Sequence, residues 1–407
     1  MKKILILFVL LSASISYSQW QLTAGTGTAY GNTLYCVGDT LYAGTDFGAY
    51  KTTDNGNTWI TINNGFTAPR KVKDFFYADG KLWCAAENNG LFYSTNGGDL
   101  WIRELSQSIN YPDAVITSGN YIYTHSTSSD RVMFSTNMGA NWTITQQGVF
   151  PQYTSSFALN GNFIFSGGSD GAYVSFLGAT SWTEISQSPN TGVDEIRYAN
   201  NKLYAACWGT PGGIWSSTNN GTNWININTA ITNRQLWALH VFNNNILVGT
   251  DDGINRGIFF SSNDGTNWTN VSGGLPADLS FDEITSNSTY AFGIIYYTGA
   301  VYRKPLSELI RIQPISSVVP KQFSISQNYP NPFNPVTNIN FDVKEKGLVK
   351  LAVFNSIGQK IETLVNQQLS PGTYKADWNA ANYPSGVYYY KITADDYAET
   401  RKMILIK

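Results

Sequence analysis

Thr52-Thr53-Asp54-Asn55-Gly56-Asn57-Thr58-Trp59 is the stretch on which the fold turns. Looser copies end at Trp101 (STNGGDLW), Trp142 (STNMGANW), Trp224 (STNNGTNW) and Trp268 (SSNDGTNW), and a degenerate one ends at Trp182 (SFLGATSW). With Trp20 included, seven tryptophans recur at steps of 39, 42, 41, 40, 42 and 44 residues. A Gly-led aromatic strand precedes most copies, starting at Gly48, Gly90, Gly171, Gly213 and Gly257, with a Gly-less version at Phe134. A fixed period of about 40 residues with several short strands per unit is the signature of a β-propeller.

The turn has a structural logic of its own. An Asp or Asn side chain can hydrogen-bond its own backbone two residues on, and the following Gly accepts a positive φ. The Trp then opens the next strand, where its indole can wedge against the neighbouring sheet. This pattern resembles the Asp-box (BNR) repeat of sialidase-like propellers, S/T-x-D-x-G-x-x-W. Only Asp54 supplies that family's Asp; Asn96, Asn137, Asn219 and Asn263 stand in its place. The resemblance covers roughly residues 20 to 305. It implies that Asp54, Gly56, Trp59, Gly98, Trp101, Gly139, Trp142, Gly221, Trp224, Gly265 and Trp268 are scaffold, away from any active site.

A seventh aromatic strand occurs at Gly299-Ala300-Val301-Tyr302, but no Trp follows it where one is due, near Arg311. The spare Trp20, with Gln21 and Leu22, reads like the segments that begin at Trp59 and Trp142. Pairing this N-terminal strand into the last blade closes the ring and removes free sheet edges. The expectation is therefore seven blades over residues 19–305.

Composition fits an exported all-β protein. Charged residues make up only 13% of the chain, and Tyr, Phe and Trp together 14%. The net charge is −2 and no Lys/Arg stripe is present, which argues against nucleic acid as a partner. Cys36, Cys84 and Cys207 lie in apolar strands of different blades and read as small buried hydrophobes, with Cys36–Cys84 the one pair to test. Residues 1–18 read as a signal peptide. Lys2 and Lys3 give the positive start, Ile4 to Leu11 the apolar run, and Ser16-Tyr17-Ser18 the cleavage site. No apolar stretch is long enough to span a bilayer.

Residues 306–322 mix Pro, Ser and Val without a repeat and read as a linker. From 323 to 407, strands alternate with turn signals at Gly358, Pro371-Gly372 and Pro384-Ser385-Gly386, as in a small immunoglobulin-like sandwich. The segment carries Asn328-Tyr329-Pro330-Asn331-Pro332-Phe333-Asn334-Pro335, Val353-Phe354-Asn355-Ser356-Ile357-Gly358-Gln359, Gly372-Thr373-Tyr374, Trp378-Asn379-Ala380, Ser385-Gly386-Val387-Tyr388 and the closing Lys402-Met403-Ile404-Leu405-Ile406-Lys407. It resembles the type A C-terminal sorting domain of the Bacteroidetes type IX (Por) secretion system. The resemblance implies two partners, the type IX translocon and its C-terminal signal peptidase, and a location at the outer-membrane surface or outside the cell after passage through the periplasm.

The activity of the propeller is less legible. A sialidase needs an early Phe/Tyr-Arg-Ile-Pro motif and three arginines that clamp the substrate carboxylate; Ala68-Pro69-Arg70-Lys71 is no match. Most glycosidases need two carboxylates at a set separation. Aligning blades on Leu82, Tyr121, Leu203 and Tyr290 places Asp74, Asp113, Glu195 and Asp282 eight positions earlier, at the start of the innermost strands. They are expected to ring one mouth of the channel as acid/base pairs, as ligands for a cation or sugar hydroxyls, or as solvated strand caps. Trp208, in a loop opening on the same mouth, can stack on a sugar ring or pack against the protein, and His125 and Arg234 are expected nearby. Two histidines and no C-x-x-C pattern make no metal site, and no cofactor fingerprint is present. The expectation is a surface or secreted module that binds glycan or protein, with a glycoside hydrolase as the alternative.

Overall fold

The computed structural model describes residues 19–407 except 27–29, 68–70, 88, 105–108, 110, 127–130, 146–155, 186–191, 210–211, 229–230, 232–234, 243–244, 251–255, 263, 267, 277–280, 310–311, 317, 370 and 381–382. The expected signal peptide and Arg234 lie outside the described residues.

Between Gln21 and Pro305 the chain forms seven four-stranded antiparallel sheets. Their innermost strands are Gly31–Val37, Lys71–Ala78, Pro112–Ser118, Ser156–Asn160, Val193–Ala199, Leu236–Phe242 and Phe281–Ser286, which number the blades 1 to 7. Each innermost strand packs on the next, and that of blade 7 returns to that of blade 1. The second strands are apolar almost throughout, as in Lys81–Glu87 and Lys202–Cys207, because both faces of a blade are covered by neighbours. Blade 7 takes its outer strand from the other end of the chain. Gln21 pairs with Arg303 and Leu22 with Tyr302.

The repeated turn is built as its residue types require. The Thr52 hydroxyl accepts from the Gly56 amide at 2.9 Å, and Asp54 Oδ1 accepts from the Thr58 amide at 2.9 Å. Ser94, Ser135 and Ser217 repeat the first bond with Gly98, Gly139 and Gly221, and Ser261 repeats it with Gly265. Asn96, Asn137 and Asn219 repeat the second with their carbonyl oxygens. The backbone bond of the turn needs a single acceptor oxygen, so Asn replaces Asp without loss of the turn. At Asp54, donation from the Thr58 amide and hydroxyl and from Thr52 also holds the carboxyl down to about 2.

One position, three residues after each Trp, explains the rest of the repeat. The Trp101 and Trp268 indoles donate to the carbonyls of Ile62 and Ile227 in the preceding blade at 2.7 Å. Trp20 donates to Val271 O at 2.9 Å, and Trp59 to the Thr23 hydroxyl at 3.2 Å. A Cβ on Gly56, Gly98, Gly221 or Gly265 would strike Thr23, Ile62, Ile185 or Ile227 at 2.5–2.8 Å, and φ there is +82° to +87°. At Thr23, Ile62 and Ile227 the Gly and the Trp of one blade therefore seat the same residue of the blade before. The degenerate copy at Trp182 differs: Gly178 instead takes the Tyr123 hydroxyl as acceptor for its amide.

The segment 306–322 is not a plain linker. Leu306–Leu309 is a short helix whose two leucines join the apolar core of blades 6 and 7. Ile312–Ser316 pairs with Gly372–Asn379 as an edge strand of the C-terminal sandwich. The prolines and serines that suggest a spacer are compatible with an edge, where a missing amide costs little. That sandwich has two four-stranded sheets around Trp378, Tyr390, Phe333 and Phe341. Asn328 is buried, its side chain donating to Pro330 O and the Thr337 hydroxyl. Phe333 exchanges backbone hydrogen bonds with Ile404 and Ile406, so the first and last motifs of the segment hold one another. All three cysteines are free. Burial raises the Cys36 thiol to about 12, which leaves it protonated and unreactive.

Candidate binding site at the channel mouth

In six blades the innermost strand carries a bulge just after its start, at the end of the ring opposite the Asp-box turns. The bulged residues are Asn32, Lys73, Asp113, Asp194, Trp237 and Asp282. The residues that follow are Thr33, Asp74, Ala114, Glu195, Ala238 and Glu283, with Ser156 equivalent in blade 4. A bulge re-aims side chains at a sheet rim, and here it sets two tiers at the channel opening.

The four acids expected from the sequence do not form one ring. Asp74 and Glu195 belong to the deeper tier, whereas Asp113 and Asp282 are bulged. Leu82, Ile122 and Leu203 are the equivalent second-strand residues, each opposite the Ser that opens an Asp-box turn. Alignment on Tyr121 and Tyr290 therefore slips by one residue, and Glu283 is the true partner of Asp74 and Glu195. The slip arises because Tyr121 and Tyr290 each stand one residue before the true equivalents, Ile122 and Ala291, and a bulge leaves no mark in composition.

Most of these acids already have work in the scaffold. Asp74 Oδ2 accepts from the Val115 amide of blade 3 at 2.8 Å, and Glu195 Oε2 accepts from the Leu239 amide of blade 6. Ser156 does the same for Ile196 of blade 5 at 2.8 Å. The innermost strand has no ladder partner on its channel side, so these oxygens satisfy amides that would otherwise be orphaned. Asp113 pairs with His125 Nδ1 at 2.8 Å. His125 is fully buried on its strand and is not at the open mouth.

Inside the channel, Arg197 of blade 5 pairs with Glu195 of its own strand and with Glu283 of blade 7, the latter at 3.3 Å. Burial alone would lower the guanidinium pKa; Glu195, then Glu283 and Asp74, more than offset it and raise the value. Burial raises Glu195 and Glu283, with Arg197 opposing in both cases. Asp74 is pushed up to about 7 by burial. His240, bonded to the Ser286 hydroxyl at 2.8 Å, is driven down to about 3 by burial and then by Arg197, so it stays neutral.

Sequence reasoning missed the aromatic face above this network. Tyr30, Phe47, Tyr111, Trp208, Trp237, Tyr296 and Tyr297 are each between 38 and 66% exposed, and all lie at the bulged ends of the innermost strands or in adjoining loops. Tyr296 and Tyr297 stack edge-on with ring centroids 5.0 Å apart, and Tyr30 lies 5.4 Å from Tyr296. Running through blades 5, 6, 7 and 1, Trp208, Trp237, Tyr296, Tyr297, Tyr30 and Phe47 form a crescent. The Trp208 indole packs over Gly192, where any Cβ would collide with it at 2.1 Å, so it is held and partly exposed at once. Phe47, Trp208, Tyr296 and Tyr297 sit between second and third strands and Tyr30, Tyr111 and Trp237 at the starts of innermost strands, and without the register only Trp208 stood out.

Comparison with known proteins bears on both domains. Residues 327–407 match the family described as secretion system C-terminal sorting domain. Among solved structures, the chain is similar to YCF48 in complex with a peptide (15% identity, TM-score 0.56, 72% of this chain and 96% of that one). A GH74 enzyme from Niastella koreensis matches at 17% identity and TM-score 0.56, over 70% of this chain and 44% of the enzyme. The chain is a β-propeller with a type IX sorting tail. Virginiamycin B lyase from Staphylococcus aureus, solved with quinupristin, is similar at 12% identity and TM-score 0.56, over 70% of this chain and 98% of the lyase. No curated protein matches the chain. At these identities the neighbours establish the fold alone. The tail indicates export by the type IX system to the cell surface or the outside. No helix among the described residues is long and apolar enough to cross a membrane.

Proposed function

We propose that the protein is an exported, non-catalytic binding module that captures an extracellular glycan or protein on its channel mouth. The carrying observation is the gathering of seven exposed aromatic side chains on the one face that also bears Asp194 and Asp282. Exposed rings supply stacking area at low entropic cost, and half-buried carboxylates supply directional acceptors beside them. Solved propellers of this shape include both a peptide complex and a glycoside hydrolase, so the fold itself does not choose.

A hydrolase is the second reading, because Glu195 and Glu283 approach one guanidinium and both are biased toward the neutral acid. Binding is preferred because these carboxylates lie below the mouth, engaged with Arg197 and the Leu239 amide. A glycan array and a protein-capture screen, run beside a polysaccharide hydrolase assay, separate the readings. Binding without turnover is expected, weakened about tenfold by Trp208→Ala. Turnover abolished by Glu283→Gln would instead establish the enzyme, and silence in all three assays would leave the mouth without a ligand. On this reading the signal peptidase of the secretion system removes the tail on arrival. The mass of the surface product should then lack residues 327–407, and an intact chain contradicts that step.

A further inference from the structure

We propose that Asp194 and Asp282 together receive the guanidinium of an arginine side chain projecting from an extended polypeptide, with Trp237 against its stem. The inference rests on the mouth being a ligand face and names what enters it. Its first support is internal precedent. One residue deeper on the same two strands, Glu195 and Glu283 already hold a guanidinium between blades 5 and 7, that of Arg197. Asp194 and Asp282 directly precede those glutamates, so the same two blades present a second carboxylate pair one step nearer the opening.

That outer pair has no cation of its own among the described residues. Oδ2 of Asp194 is closed off from water without a hydrogen-bond donor, which in a native protein calls for an explanation. Burial and then the charge of Asp282 push Asp194 up to about 7. Burial does the same to Asp282, with Lys73 only partly opposing. Lys73 itself donates to Asn32 at 3.2 Å instead of closing on either Asp. Each negative charge makes the other costlier to hold, and a cation supplied beside them favours both ionised forms.

The shape favours arginine on a peptide over an amine on a sugar. Trp237 occupies the bulge of blade 6, between the two acids, and is 42% exposed. A planar guanidinium stacks on such a ring and bonds carboxylates on either side. The acids are half-buried, below the more exposed rim of Tyr297 and Phe47. Arginine carries its charge at the end of three methylenes that can bury their stem on the way in, whereas an amine fixed directly to a sugar ring has no such stem.

The test titrates the full chain with Gly-Ser dodecapeptides differing only in a central Arg, citrulline or Glu, beside chitosan oligomers and neutral oligosaccharides. The Arg peptide is expected to bind at least about tenfold more tightly than the citrulline peptide. The double change Asp194→Asn/Asp282→Asn should erase that difference while the melting curve stays cooperative, and Trp237→Ala should reduce it. Equal binding of the Arg and citrulline peptides, or a preference that survives the double change, overturns the proposal. So does chitosan binding that depends on the two acids without any Arg-peptide preference, or a preference seen only after Arg234→Gln, which would mean the pair is filled from within. Neutral oligosaccharides bound through Trp208 with no arginine preference would sink this inference and leave the broader binding reading standing. No ligand in any arm sinks both.

Discussion

Trp20→Ala is expected to destabilise the propeller by about 4 kcal/mol, more than any surface change in the same strand. Trp20 is 3% exposed, packs on Phe281 with centroids 6.2 Å apart, and donates to Val271 O. Its strand also carries the N-terminal end of the chain into the sheet of the last blade. Without it, Val301–Pro305 becomes a bare edge, and Trp59 loses the Thr23 hydroxyl that its indole meets. Deleting residues 19–24 should cost at least as much. Urea melts of the purified protein measure both changes, and a loss below about 1 kcal/mol in the Trp20 variant would show that the ring does not depend on this closure.

The second large effect is expected at the centre of the channel. Arg197→Met should cost on the order of 2 kcal/mol at pH 8, because it leaves Glu195 and Glu283 largely buried without their counter-ion, while the 39% exposure of Arg197 itself keeps the loss below that of a fully buried pair. The penalty should shrink as the pH falls, since both carboxyls can then take up protons and become neutral. The parent protein should show a milder version of the same slope. Asp74 and Asp282 ionise near 3.9 in an unfolded chain but near 7 in the fold. Between those values the folded state holds protons that the unfolded state has released. Stability therefore falls as pH rises from about 4 to about 7, then levels. Melting temperatures across pH 5 to 8 for both proteins test this. A penalty for Arg197→Met that is unchanged across the range contradicts the account of the channel.

Much of the scaffold was legible because its turns are chemically demanding. An Asx acceptor, a left-handed Gly and a Trp can be recognised at fixed offsets even when Asp becomes Asn, and the tail announces itself by residues that its own core uses, Asn328, Phe333 and Trp378. The site was less legible for an equally physical reason. Its geometry is set by a one-residue bulge, and a count of eight from Tyr121 or Tyr290, one residue before Ile122 and Ala291, lands on the bulged residue instead of the one after it. Asp282 was thereby found by a count that properly leads to Glu283, while Asp194 and Arg197 went unremarked beside Glu195. Trp237 reads as one more apolar strand residue until the bulge turns it outward. The boundary at 306–322 was misread because an edge strand and a spacer share the same tolerance for Pro and Ser.

The most direct measurement is hydroxyl-radical footprinting of the protein with and without a ligand recovered from the glycan or protein screens. If the bulged end of the ring is the binding face, Trp208, Trp237, Tyr296 and Tyr297 should be protected together, while Tyr77 and Phe176, comparably exposed at the opposite end, should react as before. Protection of Tyr77 and Phe176 with the four mouth aromatics unchanged would place the ligand on the Asp-box face and contradict the account.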